Sequence, residues 1–156
     1  MVKKFFSNIP ELSLMVITTA VVLILFAEVV FRYFIGTSLD WIEEVSRMLL
    51  IWMVFIGAAV ALKRNEHIAV HYFLSFFPKG MYYYIEVFTY GIIVFFSVFL
   101  CIQGTIFSVL SKDTTFPALQ ISVLWMYIGL PAGCFIMVIY GSRRLIATIK
   151  NHKAQE

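Results

Sequence analysis

The sequence predicts an all-α membrane protein: four transmembrane helices, both termini on the cytoplasmic side, and a short interfacial segment between helices two and three. Three observations predict it. Of 156 residues, 62% are hydrophobic and 13% charged, against roughly 45–50% and 25% in soluble domains. The apolar residues fall into four long runs, and about 20 such residues, rising 1.5 Å each, cross a hydrocarbon core of about 30 Å. The basic residues gather at the ends of alternate runs rather than along a face.

The helices are expected at about 9–34, 41–62, 81–110 and 117–142, forming a single transmembrane domain over 1–156. The first run follows Lys3 and Lys4, is too long for a signal-peptide core, and leads into Glu28 and Arg32 instead of a small-residue cleavage site, so it reads as a retained helix. The second is uncharged from Met48 to Leu62, which places its first turn at the membrane rim. The third is uncharged from Val87 onward and exceeds the bilayer thickness, which implies tilt or extension past one surface. The fourth carries no charge at all.

Basic residues set the orientation. Lys3 and Lys4 precede helix one, Lys63, Arg64 and Lys79 lie between helices two and three, and Arg143, Arg144, Lys150 and Lys153 follow helix four. The other two connections hold Asp40 with Glu43 and Glu44, and Lys112 with Asp113. The excess of Lys and Arg on one side predicts cytoplasmic termini and a cytoplasmic middle loop. That loop, 67–78, is rich in apolar and aromatic residues yet too short to span, and Pro78 and Gly80 separate it from helix three. It reads as a segment lying in the interface. Tyr82, Tyr83 and Tyr84 follow at the depth of an aromatic belt. Scattered single and paired basic residues of this kind are orientation signals and exclude nucleic acid as a partner.

Charges next to the apolar runs are the candidate functional residues, because each is costly inside a bilayer. Glu28 and Arg32 stand at i, i+4, which places them on one face of a helix. Asp40 and Glu43 have capping-box spacing, and Glu43 and Arg47 are again i, i+4. A short connection makes helices one and two antiparallel neighbours, so Glu28, Arg32, Glu43, Glu44 and Arg47 converge at one rim. There they either staple the two helices or also hold another chain, and the surplus of acids favours a basic partner. Glu86, a lone acid early in helix three, is expected to pair with Lys63 or Arg64.

Other features read as packing. Cys101 and Cys134 lie in apolar runs outside any CxxC motif and serve as small fillers, with a bond between them left open. Gly57 with Ala61, and Gly129 with Gly133 around Pro131, are small-residue pairs that allow close helix contact and a kink. His67 and His71 lie in the surface loop, not on facing helices at membrane depth, which argues against haem. The chain has no phosphate-binding loop, no nucleophile elbow, no metal cluster and no nucleophile with a base, so no catalysis and no cofactor of its own are expected.

Three stretches together resemble the small membrane subunit of the tripartite ATP-independent periplasmic (TRAP) transporters. They are Phe31 to Arg47, with Trp41-Ile-Glu43-Glu44-Val-Ser-Arg47; Trp52 to Ala61, closing with Glu66-His-Ile-Ala-Val70; and Thr115-Phe-Pro-Ala-Leu119 with Trp125 and Leu130-Pro-Ala-Gly133. The resemblance covers essentially the whole chain, and departs from the family pattern at His71, where an Asp is usual. It implies a subunit of the bacterial inner membrane that braces a large transmembrane transport subunit. It further implies that the large subunit, not this chain, binds sodium and moves an organic acid delivered by a periplasmic substrate-binding protein. C4-dicarboxylates, sugar acids and sialic acids are the substrate classes implied. By the same resemblance Trp41, Glu43, Glu44 and Arg47 form the rim that locks subunits together and faces the binding protein, and Glu66 and His67 fix the cytoplasmic turn. The alternative is a self-contained four-helix exporter that uses Glu28 as a proton-coupled site.

Overall fold

The computed structural model describes residues 2–36, 39–64 and 79–153. Its elements are α1 (Val2–Val30), which continues as a π turn over Phe31–Ile35, α2 (Asp40–Arg64), α3 (Lys79–Leu110), a short α4 (Leu124–Tyr127) and α5 (Gly129–Lys153). Four stretches are long and apolar enough to cross a membrane: Ile9–Phe34, Asp40–Arg64, Tyr83–Leu110 and Leu124–Lys150. The segment expected at the interface, with Glu66 and His67, lies outside the described residues.

The helices stand in a row rather than a closed bundle. α1 packs on α2, α2 on α5, and α5 on α3. The core therefore lies between the two central helices: Ile42, Ile56, Ala59, Val60 and Leu62 of α2 and Cys134 of α5 are buried, whereas α1 buries Pro10 and Val21 among its described residues. The outward faces of α1 and α3 carry Met15, Leu23, Phe26, Phe88, Phe95 and Phe99, as a hydrocarbon solvent requires. Four hydroxyls in the spans bond back to the preceding turn, Thr19 to Met15, Thr89 to Ile85, Thr105 to Cys101 and Ser108 to Gly104, so these polar groups are satisfied without water, whereas the buried Ser46 hydroxyl of α2 has no partner among the described residues.

Two glycines bring α5 close against α2. A Cβ at Gly129 would lie 2.9 Å from the Trp52 ring, and one at Gly133 would lie 2.7 Å from the Phe55 backbone carbonyl carbon. Close contact through this pair is therefore realised between α5 and α2. Gly57, by contrast, meets only the end of Leu14 at 3.6 Å. Both cysteines are free, and Cys101 Sγ lies 3.7 Å from the Pro131 carbonyl oxygen.

The fourth span departs from the expected 117–142. Residues 117–119 form a turn, Gln120 has φ +53, and helix begins only at Leu124. Pro131 has no N–H to give the Tyr127 carbonyl, and the helix is interrupted at Ile128. α5 then runs on to Lys153, past the expected end, carrying Arg143 and Arg144.

Candidate functional site: a charged rim and a clamped loop

One end of the row holds the chain termini; the other holds the α1–α2 and α3–α4 connections. At this second end α1 closes with the π turn, whose i→i+5 bonding widens the helix, and Gly36 at φ +74 ends it in a conformation that favours glycine. Among the described residues Glu28 and Arg32 form no ion pair. Both instead line a cleft of about 330 Å³ with Gly36, Leu39, Asp40 and Glu43.

The start of α2 also differs from expectation. Asp40 is its first residue, and the first turn is closed by the Leu39 carbonyl accepting from Ile42 N–H at 2.9 Å. The capping-box bond expected of Asp40 is not made, and Asp40 lines the cleft instead. Glu43 pairs with Arg47 at 2.5 Å, with both side chains more than half exposed. An exposed helical pair of this kind contributes only about 0.3–0.5 kcal/mol. Trp41 stands exposed beside them.

Glu44 does something different. Its carboxylate accepts from the backbone N–H groups of Ala118 at 3.0 Å and Leu119 at 2.9 Å. Those amides follow Pro117 in a turn closed by Gln120 N–H to the Phe116 carbonyl at 2.9 Å. Inside such a turn successive N–H groups point outward together and favour an anion. The rest of the loop is pinned by Thr115 bridging Ser122, by Val123 N–H to the Thr114 carbonyl, and by buried Phe116. Just beyond it, the Trp52 indole donates to the Trp125 carbonyl at 3.0 Å. Glu44 thus joins the start of α2 to the loop before α4 and is not available to the cleft.

The terminal end holds a pairing that the sequence reading missed. Glu11 bonds Lys63 at 2.9 Å and Arg64 at 3.4 Å, tying α1 to the end of α2. The expected partner, Glu86, instead accepts from the Thr148 hydroxyl at 3.3 Å and joins α3 to α5. The available signal was Glu11 itself, an acid at the start of the first apolar run, opposite two adjacent cations once α1 and α2 are antiparallel.

Four apolar spans in a row, with ion pairs confined to the ends and no group of metal-ligating side chains among the described residues, define a multi-pass membrane protein. Residues 21–151 match the family described as tripartite ATP-independent periplasmic transporters, DctQ component, and the chain belongs to that family. It is 28% identical over 79 residues to the sialic acid TRAP transporter small permease protein SiaQ of Vibrio cholerae serotype O1, covering 51% of this chain and 46% of that protein. It is 28% identical over 129 residues to the ectoine TRAP transporter small permease protein TeaB of Halomonas elongata, covering 80% and 64%. It is also 28% identical over 118 residues to the sialic acid TRAP transporter permease protein SiaT of Haemophilus influenzae, covering 74% of this chain and 19% of that one. The chain spans less than two thirds of the length of each of these relatives. They are named as transporter components and not as enzymes.

Proposed function

We propose that this chain is the small membrane subunit of a sodium-coupled, binding-protein-dependent secondary transporter for small organic acids. In this reading it braces a large transport subunit in the bacterial inner membrane. The observation that carries the reading is the family match over 21–151. The row of helices supports it, because a thin wall with a tightly packed centre gives a moving neighbour a fixed surface. The relative SiaT supports it too, since the match to this chain takes up a small part of a much longer permease.

Lys63, Arg64, Arg143, Arg144 and Lys150 stand at the terminal end and Asp40, Glu43 and Glu44 at the other, which supports cytoplasmic termini. The far rim then faces the periplasm. Trp41, Glu43, Arg47 and the cleft with Glu28 and Arg32 are the surface offered there to the large subunit and the docked binding protein, and Glu44 holds the adjoining loop in place. Sodium and substrate bind the large subunit. The substrate is an organic acid or a comparable small solute, because the relatives are named for sialic acid and ectoine.

Uptake by proteoliposomes tests the reading. Vesicles with this chain alone should take up nothing. Vesicles with the large subunit encoded alongside it, this chain and the binding protein should take up substrate along a sodium gradient, and omission of this chain should abolish uptake. Full uptake without this chain would contradict the reading.

A further inference from the structure

Gln103 is out of place. It lies on α3, exposed, within the uncharged run from Val87 to Leu110. That run is about 36 Å long against a hydrocarbon core of about 30 Å, and Gln103 sits about 10 Å short of its end, so its amide is at hydrocarbon depth. The hydroxyls that follow it, Thr105 and Ser108, are satisfied by carbonyls of the preceding turn. The Gln103 amide, with two donors and an acceptor, makes no hydrogen bond among the described residues. It opens into an apolar groove of about 470 Å³ between α3 and α4–α5, lined also by Leu100, Phe107, Leu110, Tyr127 and Leu130.

A lipid tail can fill such a groove but cannot bond an amide, and an unsatisfied amide in hydrocarbon costs several kcal/mol. A helix of another protein can do both. We propose that this groove is a docking face for a transmembrane helix of the large transport subunit. That helix presents apolar side chains to Leu100, Phe107 and Leu130 and one hydrogen-bonding side chain or carbonyl to Gln103. The assignment rests on the reading of this chain as a brace. It places the interface on the edge helix of the row, where α3 buries little of its surface within the chain.

The test is a photo-crosslinking side chain at position 103 in the full chain, expressed with its neighbouring genes in the native host, with position 105 as control. Thr105 is also exposed but points about 160° away around the helix. The expected result is a crosslink from 103 to one large polytopic protein, and none from 105. A crosslink from 103 to a second copy of this chain, or to lipid only, while the large subunit still co-purifies would overturn the docking face and leave the brace reading standing. If no large subunit co-purifies under any condition, both fall. Gln103→Leu provides a second measurement. It removes an amide from the lipid-facing surface, so the isolated chain should melt no lower, while retention of the large subunit should weaken about three- to twentyfold. Unchanged retention would overturn the proposal.

Discussion

Replacing Glu44 by alanine removes the acceptor for two backbone N–H groups, those of Ala118 and Leu119. Hydrogen bonds to a charged group contribute about 1.5–3 kcal/mol each. Ala118 is exposed and Leu119 half-buried, so water replaces part of what is lost, and the local cost falls near that of one such bond. The assay is amide hydrogen exchange on the purified chain in detergent, followed at residues 118–120. An opening free energy lowered by 1.5–3 kcal/mol speeds exchange about 10- to 150-fold at Ala118 and Leu119. Exchange within α2 and α5 should change little. Glu44→Gln keeps one oxygen acceptor of similar reach but loses the charge, and should give a smaller acceleration, about tenfold or less. Unchanged exchange at both amides in Glu44→Ala, with the helices still protected, would refute the clamp.

Gly133→Ala should destabilise the chain by about 1–3 kcal/mol in thermal unfolding, because the new methyl meets the Phe55 backbone, which cannot move aside. Gly57→Ala meets only the end of Leu14 and should be neutral or stabilising by up to about 1 kcal/mol from helix propensity; equal losses at the two sites would contradict the packing described. Glu11→Lys and Lys63→Glu should each lower the melting temperature, and the double exchange should recover part of it. A double variant no better than the worse single would mean that the pair does not join α1 to α2.

Much of this architecture was legible in the sequence for a simple reason: hydrocarbon has no hydrogen bonds to offer. Four runs of apolar residues could only be spanning helices, and the short link between the first two made them neighbours. Gly129 and Gly133 announced a close contact because two glycines four residues apart put a smooth patch on one helix face. The misreadings came where backbone groups, invisible in a list of side chains, decided the outcome. Glu44 looked like one more rim carboxylate, yet its partners are two amides of a turn that forms only once Pro117 and Gln120 have stopped the helix. The same turn moved the start of the fourth span from Pro117 to Leu124. Glu28 and Arg32 keep their i, i+4 spacing, yet they line a shared cleft instead of forming an ion pair with each other. Glu11 was overlooked because its partners are fixed by the antiparallel pairing of α1 and α2, not by local spacing.

The role proposed for this chain is that of a fixed brace in a larger transporter. Its most direct test is purification of the C-terminally tagged chain from its native host in mild detergent, with mass spectrometric identification of what accompanies it. The expected companion is one large polytopic membrane protein in constant ratio, lost when Glu43 and Arg47 are reversed in charge together with Gln103→Leu. Recovery of the chain alone, or as a homodimer, under conditions that preserve other membrane complexes would contradict it.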